Sequence, residues 1–389
     1  MPFVKLRHLI AAVAAALAFA LPAAAFETRA AAAWVYDHST GTVLLEKNAE
    51  EPQPPASMSK LMTLYMLFEA LRDIESVSLD TRFPVSTRAM EKRGSSMFLT
   101  TADRPTVEDL IRGIVVQSGN DATVVVAEGL AGSEEAFAQM MNDRARALGM
   151  TQSSFVNSSG WPDPDHKMSM RDLGLLSVRI IEDFPEFYQY FAERKFEYDG
   201  RVPSNHFNRN PLLDLNVGAD GLKTGHTEEA GYGLAGSAVQ GGRRVTFVIN
   251  GLDSAQDRAD ESQRLLNWAF RQFVHKAVVR EGTLVAEAPV WMGASPTVGL
   301  MAAEDRAMLL PALSKDRVEG EVIYDAPVPA PITRGQRLGE LILRPEGLPE
   351  ARVPLLADRD VPAGGFRQRI ETAARLLLTR LSERAEGAL

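Results

Sequence analysis

A serine three residues ahead of a lysine, Ser57 and Lys60 in Pro55-Ala56-Ser57-Met58-Ser59-Lys60-Leu61-Met62-Thr63, suggests one kind of chemistry. A serine hydroxyl is a weak nucleophile, and a nearby amine that has lost its proton can act as its base. The run over 61–71 is apolar with helical character. A helix opening near Ser57 puts positions i and i+3 on one face, so hydroxyl and amine meet at the positive end of the helix dipole. By itself the pair fits an N-cap serine and a solvated lysine equally well. Two further polar motifs follow, Ser118-Gly119-Asn120 and Lys223-Thr224-Gly225, and each of the three occurs once in the chain. Singly they have plain readings too: Ser118 caps a helix, Asn120 satisfies a turn, Lys-Thr-Gly ends a strand. On a helix start, an inter-helix turn and a strand respectively, their joint occurrence by coincidence is remote.

The elements that must carry these motifs can be read in order. Residues 30–37 and 42–47 read as strands around the turn Asp37-His38-Ser39-Thr40-Gly41. Thr106 with Asp109 signals a capping box, and a helix continues over 107–117, stops at Ser118-Gly119-Asn120, and is followed at once by another from Asp121. A third helix spans 133–148, capped by Ser133 and ended by Gly149. Strands return over 220–225, 231–239 and 243–250, with Gly241-Gly242 as a hairpin turn, and 257–274 reads as a helix. Strand pair, helices, strand triplet and helix make an α+β domain: one antiparallel sheet with helices on its faces.

Composition sets the bounds. The first 25 residues read as an export signal: Lys5 and Arg7, an apolar run over 9–21, then Ala23-Ala24-Ala25 before Phe26. What remains is long enough for two domains. With no cysteine, disulfides, zinc–thiolate sites and cysteine catalysis are excluded together. The six histidines show no ligand spacing, so no metal and no cofactor is expected. A pI near 5.4 argues against a nucleic-acid partner. From residue 276 the pattern becomes short alternating runs, 281–286, 306–310, 319–324 and 338–343, broken by proline and glycine, as at Pro327-Val328-Pro329-Ala330-Pro331. This predicts a small all-β domain over 276–362 after a catalytic domain over 26–275. Residues 363–389 read as an amphipathic helix with Phe366, Ile370, Ala373, Leu377 and Leu381 on one stripe and arginines on its flanks. Such a helix lies at a membrane surface, or packs on a domain or in a self-association seam.

Ser-x-x-Lys, Ser-x-Asn and Lys-Thr-Gly together are the signature of class A β-lactamases and penicillin-binding proteins. The wider context, Gly-Ser-Ser-Met-Phe at 94–98, Gln-Ser-Gly-Asn-Asp-Ala at 117–122 and Asp-Gly-Leu-Lys-Thr-Gly-His-Thr at 220–227, resembles the low-molecular-mass penicillin-binding proteins, the serine D-alanyl-D-alanine carboxypeptidases. Asn208-Arg209-Asn210 and the stretch Arg258-Ala259-Asp260-Glu261-Ser262 are similar to family segments as well. One departure is Asn157-Ser158-Ser159-Gly160, where some relatives carry His-Gly.

The resemblance implies a penicilloyl-serine transferase (β-lactamase-like) domain. It also implies a periplasmic enzyme that removes the terminal D-alanine of the peptidoglycan stem pentapeptide through an acyl-enzyme, with a part in cell-wall maturation and cell shape. β-Lactams are the expected covalent inhibitors, and the inner-membrane surface an expected partner through the terminal helix. In that scheme Lys60 is neutral and takes the Ser57 proton, and Lys223 across the cleft lowers the Lys60 pKa. The backbone N–H groups of Ser57 and His226 hold the oxyanion, the latter by resemblance. Ser118 relays a proton to the leaving amine and Asn120 holds the acyl side chain. Thr224, beside Gly225, and Arg258 bind the terminal carboxylate; for Arg258 the plain alternative is a solvated charge at a helix start. No Gly-x-Ser-x-Gly elbow supports a histidine-based triad, so His226 is given a backbone role only.

Three alternatives stand beside this reading. A β-lactamase on the same scaffold lacks support, since no Glu-x-x-Leu-Asn segment lies between Ser118 and Lys223. A D,D-endopeptidase shares every motif. An inactive wall-binding protein fits poorly with three intact motifs.

Overall fold

The computed structural model describes residues 26–201, 204–313, 315, 318–365 and 370. The expected leader over 1–25 lies outside them, as does the expected terminal helix apart from 363–365 and 370. The chain forms two compact units. The first takes in residues up to Val35, Leu45–Ala238 and Thr246–Trp268; the second takes in Tyr36–Leu44, Val239–Val245 and the chain from Ala269 on.

Strands β1 (Ala32–Asp37), β2 (Thr42–Lys47), β3 (Ala219–Thr227), β4 (Gly231–Gln240) and β5 (Arg243–Leu252) form one sheet in the order β2-β1-β5-β4-β3. The centres of β4 and β5 are continuously buried, as expected of strands covered on both faces. At the sheet edge β3 pairs antiparallel with β4, setting Lys223 opposite Ala235 and His226 opposite Tyr232. The helices are α1 (Lys60–Asp73), α2 (Thr87–Met90), α3 (Val107–Arg112), α4 (Asn120–Ala131), α5 (Glu134–Ala147), α6 (Met170–Asp183), α7 (Pro185–Tyr188) and α8 (Ala255–Arg271). Every residue of α1 from Lys60 to Phe68 is buried, so this helix runs through the core and carries its first residue, a lysine, in with it.

The class is α+β, as the sequence reading has it. Thr106 and Asp109 make both bonds of the capping box at the start of α3. The helix expected over 107–117 does not stay α-helical, however. It widens to a π-turn over Gly113–Gln117, where a Cβ on Gly113 would come within 2.0 Å of the Met97 sulfur. The wide turn delivers Ser118 in the left-handed region, at φ 59°.

The second unit holds β6 (Phe273–Val279), β7 (Leu284–Trp291), β8 (Thr297–Ala302), β9 (Arg306–Pro311), β10 (Val318–Tyr324), β11 (Val328–Pro329), β12 (Arg337–Pro345) and β13 (Ala351–Ala357). They form a six-stranded sheet, β10-β12-β13-β8-β7-β11, and a two-stranded one, β6-β9. Both contribute to a single core: Val298, Leu300, Val353 and Leu355 pack in one cluster with Met308 and Leu310. This is richer in strands than the four alternating runs suggested. The helix expected to reach residue 274 stops at Arg271, because Phe273 and Val274 already pair with Pro311 and Leu310. The proline-rich stretch read as a break supplies β11, which pairs parallel with Val290 and Trp291. Prolines sit comfortably on such a short edge strand.

Candidate active site

Ser57 sits in a single 3-10 turn, Ala56–Ser59, that runs directly into α1. Ala56 ahead of it takes φ 47°, a left-handed conformation costing a non-glycine residue roughly 1–2 kcal/mol. The Lys60 Nζ lies 2.9 Å from the Ser57 Oγ and donates to the Ser159 carbonyl at 2.7 Å. That carbonyl is held by a turn organised around Asn157. The Asn157 Oδ1 accepts from the backbone N–H groups of Ser159, Gly160 and Trp161 at 3.1, 2.9 and 3.0 Å. Gly160, at φ 75°, packs so closely on the Ser57 turn that a Cβ would fall 1.9 Å from the Ala56 carbonyl oxygen. From behind, His166 Nδ1 accepts from the Val156 N–H at 3.3 Å, which leaves the proton on Nε2 to donate to Ser59 Oγ at 2.7 Å.

Lys60 is fully buried, and burial above all holds its pKa well below the ordinary lysine value; the charges of Arg209 and Lys92 push the same way, opposed by Asp121. The sequence reading gave the charge effect to Lys223. Burial leads at Lys60 instead, with Arg209 and Lys92 behind it, and the repulsion between the two amines counts in the depression of Lys223 itself. Burial again leads there, followed by Arg209, Lys60 and Arg258. An amine kept neutral has a lone pair to offer. With one N–H committed to the Ser159 carbonyl, that lone pair can accept the Ser57 hydroxyl proton.

Ser118 is buried, and its Oγ has no hydrogen-bond partner among the described residues. It does not cap α4, whose N-cap is Gly119. Asn120 opens α4 and donates through Nδ2 to the Arg93 carbonyl at 2.7 Å. The neighbouring Asp121 accepts from Ser96 Oγ and from the N–H groups of Met97 and Leu99, fixing the segment that faces Asn120. On β3, Lys223 is buried with its Nζ 3.3 Å from the Thr224 carbonyl. Gly225 lies against the Ser57 turn, where a Cβ would meet the Pro55 carbonyl oxygen at 2.9 Å and Met58 Cγ at 3.1 Å. His226 stacks on Tyr232 with ring centroids 3.8 Å apart, and the Arg258 guanidinium lies 5.6 Å from the Tyr232 centroid. Arg258 also donates to the Arg209 carbonyl at 3.3 Å, and burial, then Arg209, lowers its pKa to about 10.

Ser57, Asn120, Thr224, Gly225, His226 and Arg258 therefore line one cleft of about 560 Å³, with Lys60, Ser118 and Lys223 buried. Arg209, Trp161 and Tyr232 line it too and were not singled out as site residues from the sequence. Arg209 had a signal, its place in Asn208-Arg209-Asn210. The Ser159 carbonyl had none, because any residue carries one. No Asp or Glu lines the cleft among the described residues, so its charged groups are all cationic. Nor do the described residues hold a group of three His, Asp or Glu side chains placed for a metal. The arrangement offers a primed hydroxyl, a buried base and a cationic seat for an anionic substrate end.

Comparison with known proteins agrees with this chemistry. Residues 19–254 match the D-alanyl-D-alanine carboxypeptidase family, and residues 273–363 match the C-terminal domain of penicillin-binding protein 5. The D-alanyl-D-alanine carboxypeptidase DacD of Escherichia coli is 36% identical over 349 residues, covering 87% of this chain and 89% of the relative. Penicillin-binding protein 5 from Haemophilus influenzae superposes with a TM-score of 0.70 at 31% identity, over 87% of this chain and 98% of that one. Penicillin-binding protein D2 from Listeria monocytogenes, solved in an ampicillin-bound form, gives a TM-score of 0.56 at 32% identity, over 62% of this chain and 98% of that one.

Proposed function

The chain belongs to the D-alanyl-D-alanine carboxypeptidase family, and on that premise we propose that it releases the terminal D-alanine of peptidoglycan stem pentapeptides through an acyl-enzyme on Ser57. The observation that carries the assignment of roles is the 2.9 Å contact between Ser57 Oγ and a Lys60 amine that burial keeps neutral. The Ser57 oxygen attacks the carbonyl of the penultimate D-alanine, and its proton passes to Lys60. The developing oxyanion is held by the backbone N–H groups of Ser57 and of His226 on the β3 edge. The C–N bond then breaks, and the amine of the departing D-alanine takes a proton through Ser118, whose unpartnered Oγ suits a relay. Water hydrolyses the ester and returns Ser57 to its starting state.

Thr224, Arg258 and, newly, Arg209 bind the substrate's terminal carboxylate, with the Lys223 amine as a further N–H donor and Asn120 holding the acyl side. Gly225 serves by letting β3 approach the Ser57 turn. β-Lactams, which carry a carboxylate and an acylating carbonyl, enter the same cleft and acylate Ser57. The basic start, apolar run and alanine triplet of residues 1–25 support action in the periplasm, and the stripe over 363–389 supports a peripheral hold on the inner membrane. The division we adopt is a catalytic domain over 26–275 and a β-rich domain over 276–362.

Mass spectrometry after incubation with penicillin tests the reading: one adduct is expected, on the peptide holding Ser57, and absent in Ser57→Ala. Free D-alanine from a pentapeptide, with a cross-linked muropeptide dimer left uncleaved rather than split into monomers, separates carboxypeptidase from endopeptidase action. Fast nitrocefin turnover would overturn the proposal in favour of a β-lactamase.

A further inference from the structure

The lining of the cleft is chemically divided. One part is cationic and aromatic, with Arg258 beside the Tyr232 ring that stacks on His226. Another part is uncharged and centres on Gly94, where a Cβ would meet Asn120 Nδ2 at 2.7 Å and Trp161 Cζ3 at 2.9 Å. Gly94 thus brings the amide expected to hold the acyl side of the substrate and an indole edge within van der Waals reach of one point.

Trp161 itself is unusual. It lines the cleft yet remains 40% exposed, although burying an indole is worth more than burying any other side chain. Its exposure is not looseness. Asn157 grips its backbone at both ends, accepting from the N–H and donating Nδ2 to the C=O, each at 3.0 Å. A half-open apolar ring on a fixed backbone beside the acyl-side amide, in a cleft with no carboxylate lining it among the described residues, offers contact area and no ion pair.

We propose that Trp161 is a specificity-determining residue. Its indole forms the platform for the side chain preceding the D-alanyl-D-alanine pair, and it selects a long aliphatic chain by methylene contact rather than by charge. This rests on the carboxypeptidase reading above and adds to it the feature of the substrate that is discriminated.

The test uses the full chain and two acetylated tripeptides, acetyl-norleucyl-D-alanyl-D-alanine and acetyl-glycyl-D-alanyl-D-alanine, with release of D-alanine as readout. The expected ratio of kcat/KM, norleucine over glycine, is roughly tenfold for the unaltered protein, the scale of discrimination an apolar contact supplies. Trp161→Ala should bring that ratio toward one, and Trp161→Phe should keep part of it. A ratio that persists in Trp161→Ala, or that is already one in the unaltered protein, overturns the proposal. Acylation of Ser57 by benzylpenicillin against 6-aminopenicillanic acid, which lacks the acyl side chain, is the second arm. Should neither peptide release D-alanine, the carboxypeptidase reading fails, while the penicillin pair still decides the platform. A preference for benzylpenicillin lost in Trp161→Ala supports it, and a preference retained overturns it.

Discussion

Lys60 does its work by being denied its charge, and the surroundings that deny it come from distant parts of the chain. An amine at the head of a helix core, donating to the carbonyl of Ser159, cannot be replaced by a side chain that stays protonated. Lys60→Arg keeps a long basic chain but not a removable proton, so Ser57 acylation by penicillin should fall by roughly 10²–10⁴-fold, the usual worth of a general base. Stopped-flow labelling with a fluorescent penicillin measures this. The acid limb of the same rate in the unaltered protein should fall at a pH well below that of an ordinary lysine, since only the neutral amine accepts the proton. Much of the site was legible at this scale, because Ser57, Lys60, Ser118 and Lys223 are polar residues in short motifs. What acts on them was not. The Arg209 charge reaches Lys60 and Lys223 through the fold, and the Ser159 carbonyl is anonymous in any sequence.

Two glycines set how closely the elements around Ser57 approach one another. Gly160 faces the Ala56 carbonyl and Gly225 faces the Pro55 carbonyl, so the turn is pressed from the Asn157 loop and from β3. Gly225→Ala must push β3 away from the turn. Overpacking of this kind costs about 1–3 kcal/mol, and the penicillin acylation rate should drop with it; urea unfolding alongside labelling separates the two effects. Gly160→Ala combines a deeper clash with a left-handed backbone, so it should be the more destabilising change in the same measurement. Elements whose pattern is local, such as β1, β2 and the capped start of α3, were readable from the chain. The π-turn at Gly113–Gln117 was not, and its first residue packs against Met97 from another segment, a contact no local pattern shows. The same holds for β6, which pairing with β9 draws out of what reads as the end of a helix.

Three buried bases, Lys60, Lys223 and His166, are pushed toward their uncharged forms, and the stability of the molecule must reflect that. Lys223 is buried and makes one long contact to a neighbouring carbonyl, so Lys223→Met should raise the unfolding free energy by about 1 kcal/mol while abolishing activity, the exchange expected where function and stability compete. His166 gives the pH dependence. Burial first, and Lys60 and Lys167 after it, hold its pKa at about 4, below the ordinary value of 6.5, against the opposing pull of Asp163 and Glu134. As pH falls below about 6.5 the unfolded chain takes up a proton that the fold refuses until about pH 4, so stability declines across that window. A shift of this size corresponds to about 3 kcal/mol. His166→Gln should flatten the decline between pH 6.5 and 4 in urea titrations, at some loss of stability near neutrality.

The cationic lining of the cleft has a practical consequence for anyone who measures this protein. Two guanidiniums that face solvent-filled space with no acid among the lining residues do not distinguish a peptide terminus from a small mineral anion. Phosphate or sulfate should therefore act as a competitor, raising the apparent KM relative to a zwitterionic buffer of equal pH and ionic strength, with kcat unaltered. The choice of buffer then becomes a variable of the experiment, and affinities taken in different solutions are not comparable until it is held constant.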